Sequence, residues 1–397
     1  MRLLLVPRSS FLVPILVASL CAAGLGEAPR QRETVAPADL KAAVDNLGRL
    51  DYKVRMKAAR TVRRAPPAVA TAALMDAASS HADGYVRYRA LVLLSGFNDP
   101  RARDIMEEAM SDANDRLRAV AYAYFERNPD KTITPLLLKA LDTEESEFVR
   151  PELTRAVAAY GGFDPKARAA LLPLVDRGQD FFRGVAIEAL GDYKEAQAFG
   201  AIQRVAMLEG PLQDDAVVAL GKIGDQRALG TLAELQRTAP REHQPAIAAA
   251  ICLLGVNCGS HQGFITDTLR FAIANIGFQE LVRASATALA AIAMSGRADA
   301  FTALLDAGVP ARDPARAPVA LAAGTVAIRH TALALSVLDA RPDLDGAVLL
   351  LRDAFDMLEE DYEEERFFAA VRRAYWEAPE GSTRRRVCDA LIQKLEF

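Results

Sequence analysis

Val86-Arg87-Tyr88-Arg89-Ala90-Leu91-Val92-Leu93-Leu94 is the stretch on which the fold turns. An aliphatic-Arg pair is followed by Ala three residues after the Arg and by a large apolar residue seven after it. The same phrase stands at Val54-Arg55 with Ala58 and Val62, at Leu117-Arg118 with Ala121 and Phe125, and at Phe182-Arg183 with Ala186 and Leu190. Val149-Arg150 keeps the pair and Val157 but has Leu153 in place of Ala. Arg55, Arg87, Arg118, Arg150 and Arg183 are 32, 31, 32 and 33 residues apart, and Val282-Arg283 with Ala286 follows 100 residues later, three periods on. A fixed period in this range means stacked repeats and outranks local signals in deciding the fold.

The remaining composition agrees. Of 397 residues, 51% are hydrophobic and 25% charged, as in a folded globular chain. Ala, Leu and Arg dominate and β-branched runs are scarce, which favours helix. The excess of Arg over Lys is what a GC-rich bacterial genome would write. The net charge of -4 provides no global basic field to attract nucleic acid, so no nucleic-acid partner is expected.

The N-terminus has the form of an export signal over residues 1–26. Arg2 and Arg8 precede a 13-residue apolar run from Phe11 to Ala23, too short to span a bilayer comfortably. Ala22-Ala23-Gly24 offers a cleavage site. Cys21 opens the alternative of a lipid anchor, although Leu20 stands where a lipobox wants a small residue, and a retained anchor is the third possibility. The membrane enters the expectation only in these ways, and the expected location is periplasmic or secreted. Residues 27–38, with Pro29 and Pro37, form a flexible leader. Cys252 and Cys258 are six apart, either a local bridge in an oxidising compartment or a small core residue and a free loop thiol. Cys388 belongs to the packing of the last helix.

From Asp39, expected to cap the first helix ahead of Leu40, Ala43, Val44 and Leu47, each period holds two helices, the second carrying the Val-Arg phrase. The turns between units repeat a device: Asn98-Asp99-Pro100, Phe163-Asp164-Pro165, Gly191-Asp192-Tyr193-Lys194 and Gly224-Asp225-Gln226-Arg227. Gly ends one helix in a left-handed conformation, Asp caps the next, and Pro suits its first position.

Together, the paired helices, the Val-Arg-x-x-Ala phrase and the Gly-Asp-x-Arg-Ala turn of residues 224–228 resemble HEAT repeats. The variety resembled is the short bacterial HEAT-like repeat also found in phycobilin lyases. The resemblance covers roughly residues 39–310. It implies an all-α fold, an α-solenoid or superhelix of stacked helix pairs, with about eight HEAT-like repeats and a less regular C-terminal helical cap over 311–397. It also implies that the repeated Arg pairs with acidic or backbone acceptors of neighbouring units. An Arg beside a buried aliphatic lays its stem on the core and keeps its fork at the seam, so Arg55, Arg87, Arg118, Arg150, Arg183 and Arg283 are structural. Two units lack the Arg, at Asp215-Ala216 and in the Ala248-Ala249-Ala250 run. The acidic run Glu359-Glu360-Asp361-Tyr362-Glu363-Glu364-Glu365 is expected to be a solvated face at a helix start.

At about 100° per residue, the positions two before, one after and five after each Arg face away from the core, towards the concave side. The first row is Lys53, Tyr85, Arg116, Phe148, Phe181; the second Met56, Tyr88, Ala119, Pro151, Gly184; the third Arg60, Val92, Ala123, Arg155, Glu188. Aromatics and Arg beside small residues suit a protein- or peptide-binding groove. Lys53, Lys57, Arg60 and Arg64 give it a basic edge. The candidate partner-binding residues are therefore Lys53, Met56, Lys57, Arg60, Tyr85, Tyr88, Arg116, Phe148, Arg155 and Phe181.

Catalysis has little support. His81, His243, His261 and His330 sit in different units, and none forms a metal-ligand pair with a Cys or another His; His261 after Cys258 is the nearest approach to a reactive constellation and reads as a plain loop His. No phosphate loop, Gly-x-Ser-x-Gly elbow or His-Glu-x-x-His occurs. The expectation is an exported, non-enzymatic scaffold without a cofactor. A phycobilin-lyase-like enzyme holding a tetrapyrrole is the alternative.

Overall fold

The computed structural model describes residues 35–358 and 361–397. The expected signal segment, with Cys21 and its lipidation alternative, and the leader as far as Thr34 lie outside the described residues, as do Glu359 and Glu360.

Alternating apolar stripes and frequent turn residues divide the chain into consecutive helix pairs. These are α1 Pro37–Asn46 with α2 Tyr52–Arg64, α3 Pro67–Ser80 with α4 Gly84–Ser95, α5 Ala102–Ala109 with α6 Asp115–Arg127, and α7 Thr134–Thr143 with α8 Arg150–Tyr160. Then follow α9 Pro165–Leu171 with α10 Asp180–Asp192, α11 Phe199–Ala206 with α12 Gln213–Ile223, α13 Ala228–Thr238 with α14 Gln244–Leu253, and α15 Cys258–Ala274 with α16 Gln279–Met294. The pairing continues past the expected repeat boundary with α17 Ala298–Gly308 and α18 Arg316–Arg329, α19 Thr331–Asp339 and α20 Leu344–Phe355, and α21 Asp361–Glu377 and α22 Thr383–Lys394. No strand occurs among the described residues.

From α4 to α20 each even-numbered helix packs on the next, forming the inner layer of a helical solenoid, with the odd-numbered helices outside. Small residues set the closest approaches. A Cβ added at Gly191 would lie 2.9 Å from Ala219 Cα, and one at Gly221 2.6 Å from Ala250 Cα.

The repeated Arg does what its position requires. Its guanidinium donates to carbonyls of the loop before its own helix. Arg55 reaches Arg49 O at 2.9 Å, Arg87 His81 O at 3.3 Å, Arg118 Asp112 O at 2.9 Å and Arg150 Glu144 O at 3.4 Å, each six residues back; Arg183 reaches Val175 O at 3.0 Å. Arg118 also grips Glu144 of the next repeat through two 2.8 Å bonds. Arg283 departs from the expectation: its side chain is 60% exposed and pairs with Glu280 of its own helix. The strut reappears one period later, where Arg316 donates to Gly308 O at 3.0 Å and to Asp353 at 2.7 Å.

The turns follow their chemistry with local shifts. Asp99, Asp164 and Asp225 each accept the backbone N–H two residues on, and Gly224 is left-handed with φ 85°. Gly191 instead lies inside α10, and Lys194 takes the positive φ of that turn. α1 begins at Pro37, preset for a first helical position, so Asp39 sits in the first turn rather than at the cap. Cys252 and Cys258 are bonded, tying the end of α14 to the start of α15. Cys388 is free and buried.

Among the described residues no single helix is long and apolar enough to cross a membrane. α18 and α19 would pass together by composition, but they are bent by 111° at their junction, and their apolar residues belong to the core.

The acidic run overturns its expectation. Glu363 is 6% exposed, Glu365 1% and Tyr362 6%. α21 does not present them to solvent. It crosses to α4 and α6 while also packing on α18, joining the last repeats to the first and closing the inner layer into a circuit. Tyr362 packs within a core cluster whose other members all lie between Leu40 and Leu254.

Candidate protein-docking face

The inner ends of the first repeats carry a continuous stack of π systems. Asp51, Asp83 and Asn114 cap α2, α4 and α6, which fixes the direction in which each first helical turn points its side chains. Arg55 lies 5.5 Å from the Tyr52 ring and 5.8 Å from that of Tyr85. Tyr85 and Tyr88 are 5.7 Å apart. Arg116 lies 5.6 Å from Tyr88 and 5.5 Å from Phe148. Every neighbour is within cation–π or aromatic-pair range, so the stack Tyr52–Arg55–Tyr85–Tyr88–Arg116–Phe148 runs unbroken across four repeats. Its ends are open: Tyr52 is 58% exposed and Phe148 50%. Phe181, 62% exposed, extends the row on the fifth repeat and meets Phe182 edge-on.

Of the sequence-predicted residues, Tyr85, Tyr88, Arg116 and Phe148 join this stack. Arg155 lies beside it, bonded to Glu152 and 4.0 Å from Glu126. Lys53, Met56 and Lys57 line the first repeat, with both lysines exposed. Arg60 faces Glu396 at 3.8 Å, at the far end of the chain.

Tyr88 corrects the expectation of a solvated row, being 3% exposed. The reason is α21. The Tyr88 hydroxyl donates to Asp361, and Arg89 donates to the same carboxylate at 2.6 Å. Burial and the facing Asp361 carboxylate push the Tyr88 phenol well above its usual range.

Three alternate carboxylates of α21 are each met by arginine from an early repeat. Asp361 meets Arg89. Glu363 accepts from Arg127 at 2.7 Å and from Arg366 at 2.7 Å. Glu365 accepts from Arg63 at 3.0 and 3.2 Å and from Arg372 at 3.3 Å. Burial pulls the Arg372 guanidinium below its usual range, and Glu365 opposes the shift. Gly96 leaves the room this needs, since a Cβ there would lie 2.5 Å from Glu365 Oε1. Arg63, Arg89 and Arg127 were missed in the sequence because they fall off the aligned rows. The available signal was complementarity: α2 carries six basic residues and no acidic one, while the start of α21 is acidic.

Between α6, α8 and the first turn of α21 a cleft of about 550 Å³ remains open, walled by Tyr88, Arg116, Phe148, Arg155, Glu126 and Glu152. Further round the inner wall, burial and then the charges of Glu188 and Asp214 raise the Asp215 carboxyl to about 6.

The HEAT-repeat family model matches residues 40–125 and 109–191. No curated protein matches the sequence. Solved structures similar to the chain include three helical-repeat proteins. The complex of CpcE and CpcF of phycocyanin lyase from Nostoc sp. PCC7120 is 18% identical over 66% of this chain and 97% of that one, with a TM-score of 0.40. The Escherichia coli protein YibA is 18% identical over 54% of this chain and 81% of that one, at 0.42. The karyopherin Kap121p, bound to the extreme C-terminus of the protein phosphatase Cdc14p, is 14% identical over 91% of this chain, at 0.42; the match spans 46% of the karyopherin's length.

Proposed function

From a chain whose residues 40–191 are HEAT repeats, we propose a non-enzymatic, exported scaffold that captures a protein or peptide partner along the Arg–aromatic stack. The observation that carries this reading is the stack itself, rigid through its buried centre and open at Tyr52, Phe148 and Phe181. Tyr, Phe and Arg held in fixed rotamers lose little entropy on binding and supply the residue types that dominate interfaces. The cleft beside Phe148 offers a pocket for one anchoring side chain, and Arg116 and Arg155 offer planar forks for a carboxylate or carbonyl.

Export is supported by the basic and apolar start of the sequence and by the Cys252–Cys258 bond, a pairing that oxidising compartments preserve. A non-catalytic role is supported by the separation of the four histidines on different helices or turns. His81 and His243 each face a single carboxylate, Asp45 at 3.5 Å and Asp214 at 2.7 Å.

The test is crosslinking capture from the cell envelope with the intact protein and with Phe148→Ser/Phe181→Ser, both exposed and outside the ion pairs of α21. Loss of a specific crosslinked partner with unchanged helicity is the expected result. An identical crosslinking pattern from the variant would refute the docking face. Uptake of a visible chromophore by the purified protein would favour the lyase reading instead.

A further inference from the structure

The closure of the circuit creates a second space that partner docking at the stack does not use. It is a cavity of about 790 Å³, open to solvent, bounded by α21, the α4–α5 turn, the end of α6 and the α18–α19 turn. One stripe of α21 forms a wall, with Arg366 and Arg373 two turns apart and the small Ala369 and Ala370 between them. Arg127 faces them from the last turn of α6, and Arg329 and His330 from the α18–α19 turn.

The charge balance of this wall is opposite to that of the whole chain. The protein carries 52 acidic against 48 basic residues. Among the described residues the cavity is lined by four arginines and one carboxylate, Asp99, which is already clasped by Arg101 through bonds of 3.0 and 2.8 Å. Glu363, just behind the wall, is a single carboxylate shared by Arg127 and Arg366. Arg373 is exposed and has no ion pair among the described residues. The neutral lining is hydrogen-bonding: Ser95, Asn98, Asn128 and Thr331. The first turn of α19, which has no side-chain cap, also borders the space and adds the positive end of its dipole.

We propose that this cavity is a binding site for a compact polyanion, a cluster of phosphoryl or carboxylate groups bearing three or more negative charges. Guanidinium forks from facing walls match such oxygens in pairs, and low-dielectric walls strengthen each contact. Several guanidinium groups converge on the space while few carboxylates face it, so a ligand carrying several charges is favoured over a monovalent anion. Because two of the arginines belong to α21, the ligand bridges the last repeats to the first.

The test is titration calorimetry on the full-length protein with inorganic tripolyphosphate, citrate and orthophosphate at about 0.15 M salt. Tripolyphosphate or citrate is expected to bind with a dissociation constant of about 10 µM or tighter, and orthophosphate at least roughly tenfold more weakly. Which of the two multivalent probes binds tells phosphoryl from carboxylate chemistry. Arg366→Gln/Arg373→Gln leaves Glu363 its Arg127 partner, so the circuit should stay closed, and is expected to weaken binding at least roughly tenfold. Arg270→Gln, an exposed change outside the cavity wall, should leave affinity unaltered. No binding of either multivalent probe overturns the proposal. So does binding that survives the double substitution, or that Arg270→Gln weakens equally.

Discussion

At the scale of single residues, one side-chain type does two jobs. Arg118 holds a carbonyl of its own loop and a carboxylate of the next repeat, while Arg283 occupies the same position in the sequence phrase and holds neither. Arg118→Ala should therefore lower stability by about 1.5–3 kcal/mol, and Arg283→Ala by less than about 0.5 kcal/mol, in urea denaturation. Equal losses would mean that the phrase, not the contact, sets the value. Asp215 gives a pH-dependent counterpart. Its carboxyl rises from 3.8 to about 6 on folding, so the native state favours the protonated form. Stability falls as pH rises from about 4 through 6 and levels off above. Asp215→Asn removes this dependence. Its unfolding free energy in urea denaturation should match the parent near pH 3.5 and exceed it above pH 7, by less than about 1 kcal/mol because the side chain keeps solvent contact. A gap of equal size at both pH values would contradict the assignment.

At the scale of elements, most of the helices were legible because their cause is local. Apolar spacing, Asx caps and turn residues lie within a few positions of the helices they determine, as at Asp83 for α4 and Asn114 for α6. The rows flanking each Arg were legible for the same reason, and they located Tyr85, Tyr88, Arg116 and Phe148. What the sequence did not disclose was the use of α21. A charged stretch such as Asp361 to Glu365 has the same pattern whether it meets water or Arg63, Arg89 and Arg127, because a partner hundreds of residues away leaves no periodic mark. Arg316 was missed for a milder reason: it lies 33 residues after Arg283, but with Val319 where the phrase has Ala. The bond between Cys252 and Cys258 was left open by spacing and is formed in the structure. Replacing both by Ser should cost about 2 kcal/mol, as expected for so short a loop. An unchanged melting temperature, or an unchanged response to reductant in the parent protein, would show that the α14–α15 junction does not need it.

At the scale of the molecule, the solenoid has no free inner end on the α4 side. Its first repeats are sealed by α21 through buried ions, with Tyr362 adding the apolar contact. Such pairs are costly to break: removing Glu365 leaves Arg63 and Arg372 buried with one partner fewer. Glu365→Ala should cost about 3–5 kcal/mol, and Arg63→Ala a comparable amount. Combined with Tyr362→Ser, which withdraws the one late residue from the early core cluster, it should open the circuit while the helix pairs persist. The radius of gyration in small-angle scattering should then rise by about a tenth, with little change in circular dichroism. A compact double variant would show that the remaining contacts of α21 with α4 and α6 hold it in place.

The bond between Arg63 and Glu365 joins positions 302 residues apart. Neighbouring pairs meet their partners within one repeat, so they assemble as fast as local contacts allow. The seal cannot form until α21 has been made, and it closes a far longer loop than the contacts between adjacent repeats do. During synthesis, Arg63, Arg89 and Arg127 therefore wait in folded repeats for a carboxylate that has not yet been made. In that interval the nascent protein presents a cationic surface that the finished one conceals.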